Sequence, residues 1–248
     1  LVLLRESKTA KTELVGDLFH RDARLSDTAK IKSPNAKGSD FNFTSLRLGI
    51  DETRMIWPAL GASFGSFSAG QSWYGGEELA RWIDLDAGQV VNLDKGAIRF
   101  GFGLRQEWRI NDEINDATTT SVSLDRLGLE INGQALTFGF GFANIVSDSG
   151  TRDAFAGEVR AAMALRDIGA ISTTFTLSAE HRNFHKFANI AGERQDRTLN
   201  FTATFANNDW RFYGFIPQLE VSSRKVWSTV DLYDRNEFGI SATLTSRF

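Results

Sequence analysis

Few residues in this chain are of types that do chemistry. There are three histidines, His20, His181 and His185, and no cysteine. Without thiols there are no thiolate metal sites, no cysteine nucleophile and no disulfides. A hydrolase built into a sheet needs Ser, His and an orienting Asn or Asp on neighbouring strands. Ser178 with Glu180-His181-Arg182 brings such types together, but in an extended strand Ser178 and His181 leave opposite faces. There is no HExxH and no Walker-type loop, and Gly101-Phe102-Gly103 is only half of a GxGxxG fingerprint, set in an alternating run. The sequence therefore predicts no catalytic, cofactor-binding or metal site, and no enzyme. His181 is expected at an interface and His185 in a loop.

What is left is a set of charges on one spacing: Arg99, Arg105, Glu107, Arg109, Glu158, Arg160, Glu180 and Arg182. Two uses fit them. One is a structural ladder of ion pairs filling a narrow barrel; the other is a polar path or docking wall for a polypeptide or solute. Both depend on what positions these residues.

That element is an alternating strand. From Ile98 the even positions are Ile98, Phe100, Phe102, Leu104, Gln106, Trp108 and Ile110, against Arg99, Gly101, Gly103, Arg105, Glu107 and Arg109. Leu136, Phe138, Phe140 and Phe142 alternate with Thr137, Gly139 and Gly141, and three later stretches, from Ile171, Thr198 and Glu237, do the same. These are half-buried strands, several of nine residues or more. Turn-like clusters recur about every 15 to 20 residues, among them Asn132-Gly133, the pair favoured in tight hairpins. The reading is an all-β antiparallel meander of about 14 strands, within a range of about 12 to 16, closed by pairing of the first and last. The first strand is expected over Thr9 to Arg24. Thr151 to Asp167 reads as strand rather than helix. Between Pro58 and Leu93 alternation is blurred, and Gly75 to Trp82 is expected as a short helix.

Composition is compatible. Net charge is -3 and the pI is near 5.7, which excludes a strongly basic nucleic-acid binder. Mean hydropathy is -0.25, and charges interrupt every apolar run before it reaches the roughly 18 residues of a membrane helix. Gly is 22 and Pro only 3 of 248 residues, and scarce proline suits a chain made of paired strands. Leu1 to Glu6 has no signal-peptide pattern, so the chain is expected to be processed or the C-terminal piece of something longer.

A soluble sandwich also alternates, with its apolar faces meeting each other. Three features favour a membrane barrel. The strands reach the 9 to 11 residues needed to cross a bilayer at a tilt. Their opposite face mixes glycine and charge, as a wet lumen does. Trp73, Tyr74, Trp108, Trp210, Tyr213 and Tyr233 fall near strand ends, where interfacial girdles form. The chain also ends at Phe248, with Phe238, Ile240, Ala242 and Leu244 on one strand face. This resembles the assembly signal, here Phe238, Ile240, Leu244 and Phe248, that the barrel assembly machinery of bacterial outer membranes reads.

The last third carries a more particular resemblance. Gly192-Glu193-Arg194-Gln195-Asp196-Arg197 leads into a strand, Gly214-Phe215-Ile216-Pro217 follows Asn208-Asp209-Trp210-Arg211-Phe212, and Leu232-Tyr233-Asp234-Arg235 precedes the final strand. From Gly192 to Phe248 this is similar to the C-terminal barrel of the surface lipoprotein assembly modifier (Slam) family. The resemblance implies one outer-membrane barrel domain over 1–248, with the helical-repeat region usual upstream in that family absent from this chain. It further implies a Gram-negative outer membrane, surrounding lipids and the assembly machinery as partners, and lipoprotein or secreted-protein cargo moved to the surface without catalysis, cofactor or nucleic acid. A small diffusion porin and a structural barrel anchoring a larger complex are the alternatives. Pro217 is expected to mark a bulge or weakly paired stretch. For a gated conduit, the plug candidates are Pro58 to Leu93 and the loops Ser26 to Gly38 and Asn183 to Arg197.

Overall fold

Twelve strands run in chain order around a closed antiparallel barrel in the computed structural model. They are β1 (Ala10–Leu25), β2 (Phe43–Trp57), β3 (Gly61–Tyr74), β4 (Glu77–Asn92), β5 (Ala97–Arg109), β6 (Ala117–Ile131), β7 (Gln134–Ser147), β8 (Ala154–Ala164), β9 (Ile171–Phe184), β10 (Gln195–Asn207), β11 (Phe215–Ser228) and β12 (Arg235–Ser246). The structure describes residues 10–25, 27, 31, 35, 37–57, 59–110, 116–131, 134–165, 167–185, 193–207, 209, 210 and 215–246. Two fewer strands form than the turn spacing suggested, because strands as long as the 16 residues of β1 and β4 use up the chain faster. Every strand has at least 11 residues, enough to cross a bilayer at a tilt.

Closure is complete. β1 pairs with β12 from Val15↔Thr245 to Leu25↔Arg235, and with β2 on its other side. No strand edge is left to recruit another chain. The strand expected over Thr9 to Arg24 is this β1, and β8 is the strand expected within Thr151 to Asp167. Of the expected assembly signal, Phe238, Ile240 and Leu244 stand exposed on the outer face of β12, whereas Phe248 lies outside the described residues.

The register makes the molecule apolar outside and polar within. Phe100, Phe102, Phe138, Phe140, Phe142 and Leu48 are all 41% or more exposed. Val226 is the largest side chain that is fully buried among the described residues. A water-soluble protein of this size would bury such rings in a core, since each is worth about 1.5 to 3 kcal/mol there. Here their burial requires lipid, and most of the inner face is Ser, Thr, Gly, Ala and charge, as in an outer-membrane barrel.

Two expectations fail between Pro58 and Leu93. Gly75 to Trp82 is not a helix. Gly75 and Gly76 both have positive φ, 59° and 92°, and link Tyr74 to Glu77 as a two-residue hairpin, the geometry in which two glycines suit the strand twist. Nor is this stretch a plug: it forms β3 and β4 of the wall. Its alternation is blurred because large rings point inward. Phe64 lies over Gly88 and Trp82 over Gly70; an added Cβ would meet each ring at 2.3 Å. Small and polar residues, Ser63, Gly65, Gln71 and Gln89, take the outer positions instead. Of the two expectations for Pro217, the bulge does not form, and the residue is paired on one side only. It sits at the start of β11, opposite Leu244 in an unbroken register, and the β10 pairing begins one residue later at Gln218.

Candidate functional site

The charges meet because a strand places residues two apart on one face about 7 Å from each other, and pairing brings the neighbouring strand within 5 Å. Glu107, on the inner face of β5, forms ion pairs with Arg109 on one side (Nε to Oε1, 3.0 Å) and with Arg152, in the β7–β8 link, on the other (Nη2 to Oε1, 2.8 Å). Arg105 completes this knot at 3.7 Å from Glu107 and 3.8 Å from Asp84 of β4, its guanidinium 4.4 Å from the centre of the Trp82 ring.

A second pair spans β6 and β8. Arg160 donates from Nε and Nη2 to Asp125, at 2.6 to 2.9 Å, and Asp125 is only 4% exposed. The two reach each other over Gly139 of β7, where a Cβ would sit 2.0 Å from the Asp125 oxygen. Arg160 also approaches Glu158 at 3.9 Å, and Arg182 pairs with Glu180 on β9 at 3.2 Å.

The densest cluster straddles the closing seam. Glu237 of β12 has no exposed side-chain surface; it accepts hydrogen bonds from Arg235 at 2.6 Å and Arg224 of β11 at 3.1 Å and forms an ion pair with Arg21 of β1 at 3.3 Å. Beside it, Arg194 donates to Asp196 at 2.5 and 3.0 Å while lying over the rings of Tyr233 and Phe184, and Ser228 donates to the same carboxylate at 2.6 Å. Lower in the seam, Ser241 and Thr243 both donate to Asp17 at 2.6 Å. Tyr74 and Tyr233, expected in a lipid-facing girdle, belong to this lumenal end: Tyr74 follows the inward parity of Phe43 and Arg21. Outer tryptophans do frame the wall, with Trp108 and Trp227 at one end and exposed Trp57 and Trp210 at the other. Tyr213 lies outside the described residues.

All eight charges singled out from the sequence share the inner face by register. Seven of them carry ion pairs within or beside these clusters. Arg99 stands apart, toward the end where β1 begins and β12 ends, with its guanidinium 4.0 Å from the centre of the Phe64 ring. The seam cluster of Arg21, Arg224, Arg235 and Glu237 was not singled out, nor were Asp125, Arg194 and Asp196. A signal for most of them exists: opposite charges two apart on the polar parity, as in Arg194/Asp196 and Arg235/Glu237. Ser178 is on the inner face and His181 on the outer, so they cannot act together.

The clusters crowd one end of the lumen. The barrel end where β1 begins and β12 ends is also where the short connections β2–β3, β4–β5, β6–β7, β8–β9 and β10–β11 are made; the two longest connections, β1–β2 and β9–β10, are made at the other. Outer-membrane barrels have short periplasmic turns and longer extracellular loops, so the charged end is the extracellular one. Between the clusters a lumenal cavity of about 270 Å³ is bounded by Phe19, Arg21, Glu158, Glu180, Glu220 and Arg224.

Residues 100–248 match the family described as surface lipoprotein assembly modifier. No curated protein matches the chain. Among solved structures, an outer membrane channel from Pseudomonas putida F1 is similar at 12% identity and a TM-score of 0.60, covering 99% of this chain and 97% of that one. The translocator domain of the autotransporter NalP from Neisseria meningitidis is similar at 9% identity and a TM-score of 0.52, covering 98% and 90%. The β domain of the Bordetella autotransporter BrkA follows at 11% identity and a TM-score of 0.51, covering 96% and 99%. At these identities the likeness is one of fold.

Proposed function

The chain belongs to the surface lipoprotein assembly modifier family, and from that premise we propose that this barrel, in the Gram-negative outer membrane, helps place lipoproteins on the cell surface. The family match over residues 100–248 is the observation that carries the reading. The lumen fits it. Its extracellular end is lined with arginines held by carboxylates, which can exchange partners with a passing polypeptide at little net cost, because each ion pair lost is replaced by another. The cavity of about 270 Å³ admits an extended segment and no folded domain, so the cargo is engaged as a strand or a terminus. The barrel itself consumes nothing; it is a passive conduit or scaffold whose contacts are screened over about 8 Å at physiological ionic strength.

The test is protease accessibility of a co-expressed lipoprotein on intact cells. The barrel should render that lipoprotein cleavable, and joint replacement of Arg99, Arg105 and Arg109 by Gln should lower the cleavable fraction while the barrel still inserts. Single-channel recording of the purified barrel is run beside it. Unchanged display with a steady large conductance would identify a diffusion porin. Unchanged display without conductance would identify a structural anchor.

A further inference from the structure

One stretch of the outer wall differs from the rest. Across β7 to β11 the register aligns a single row on the lipid face: Phe142, Gly157, His181, Arg197 and Trp227. The row lies toward the extracellular end, level with the tryptophan girdle. Gly157 and Ala179 leave a dent in the wall here, a concavity of about 1000 Å³ whose floor and sides are Phe140, Val159 and Leu199. At its rim Arg197 and His181 are both exposed and adjacent, facing outward where an apolar residue would serve lipid contact better. A charge on the lipid face costs less near the interface than at the midplane, but it still costs. Arg197 has no ion-pair partner among the described residues to offset this. Lys225, in the next row, differs, since its ammonium reaches Asp234 at 3.6 Å.

An unpaired cation at the interface, above an apolar dent and beside an aromatic, is chemistry for an anionic headgroup with chains beneath it. The row crosses five strands at about 4.8 Å each, wider than one two-chain phospholipid needs. We propose that this dent binds a phosphate-bearing, multiply acylated lipid of the extracellular leaflet. Its phosphate accepts hydrogen bonds from Arg197 and His181, and its chains lie against Phe140, Val159 and Leu199. Trp227 closes the headgroup side.

The experiment uses the full chain purified in mild detergent, with retained lipid read by native mass spectrometry. The probes are diphosphorylated lipid A, the same lipid A with its phosphates removed, and phosphatidylglycerol. Diphosphorylated lipid A should be retained at least tenfold better than either of the others. Arg197→Gln with His181→Gln should abolish that advantage, whereas Arg24→Gln, an exposed arginine on the outer face of β1 at the same end, should leave it intact. Gly157→Leu should also remove it by filling the dent. The nearest atom to a Cβ there is 3.6 Å away, so the Cβ fits without moving the wall, and the heat-modifiable folded fraction on gels checks that the variant is folded. Equal loss in the Arg24 variant, or equal retention of the dephosphorylated lipid or of phosphatidylglycerol, would overturn the proposal.

Discussion

β1 to β4 and β5 to β12 build the same wall by different means. In β5 to β12 the inner face is mostly Gly, Ala, Ser, Thr and charge, with single aliphatics such as Ile145 and Val226, and Phe184 at the end of β9 is the one inward ring of these strands among the described residues. In β1 to β4, Phe19, Phe43, Phe64, Tyr74 and Trp82 turn inward, and arginines lie over several of them: Arg21 over Phe43, Arg99 over Phe64 and Arg105 over Trp82. One sector fills its lumen with ion pairs, the other with rings lying on glycine. The family match covers the first sector and begins at residue 100. The comparison teaches that a barrel lumen must be filled as well as wetted, and that rings and salt bridges are interchangeable fillers.

The seam, where the two sectors meet, should respond most. Glu237→Ala leaves three arginines facing one another without their shared anion. Breaking a buried pair costs about 3 to 5 kcal/mol, so the urea midpoint of the refolded barrel should fall by that equivalent. A smaller loss than for any single arginine would show that the seam is held by backbone pairing alone. Next is the clean sector's outer face. Phe140→Arg should cost about 2 to 4 kcal/mol at the bilayer midplane and reduce insertion, measured as the heat-modifiable folded fraction on gels, whereas Thr137→Arg should insert normally.

Glycine separates the sectors directly. Gly88→Ala and Gly70→Ala push a Cβ into a ring and should cost about 1 to 3 kcal/mol as overpacking. Gly141→Ala on β7 meets nothing closer than 3.9 Å and should stay within about 0.5 kcal/mol of the parent. The same urea titration ranks them. Arg99→Gln, which loses an exposed cation–π contact worth about 0.5 to 1 kcal/mol, should fall between the two glycine classes.

This contrast also explains what the sequence could say. β5, β7, β9, β10 and β12 are legible because lipid selects apolar residues on one face while the lumen selects polar ones on the other, so a period of two survives. β3 and β4 lose it because rings face inward and Ser63, Gly65, Gln71 and Gln89 face out, and the blurred stretch suggested a helix where a Gly75-Gly76 hairpin forms. The charges of β5, β8 and β9 stand out for the same reason as their strands. The seam cluster does not, because Arg21 and Glu237 are brought together only by closure of the barrel, which no local pattern encodes. Arg194 lies one residue before β10, so only its spacing of two from Asp196 marks it.

Assignment of inner and outer faces underlies both the charged lumen and the lipid-facing dent, and the absence of cysteine makes it directly measurable. Single cysteines replace Thr53, Thr137 and Asn200 on the inner face and Ile50, Phe138 and Leu199 on the outer, in barrels inserted into membranes. A membrane-impermeant maleimide, given access to both sides, should label the first three and spare the second three. Labelling of Phe138→Cys and Leu199→Cys as fast as Thr137→Cys and Asn200→Cys would contradict the account.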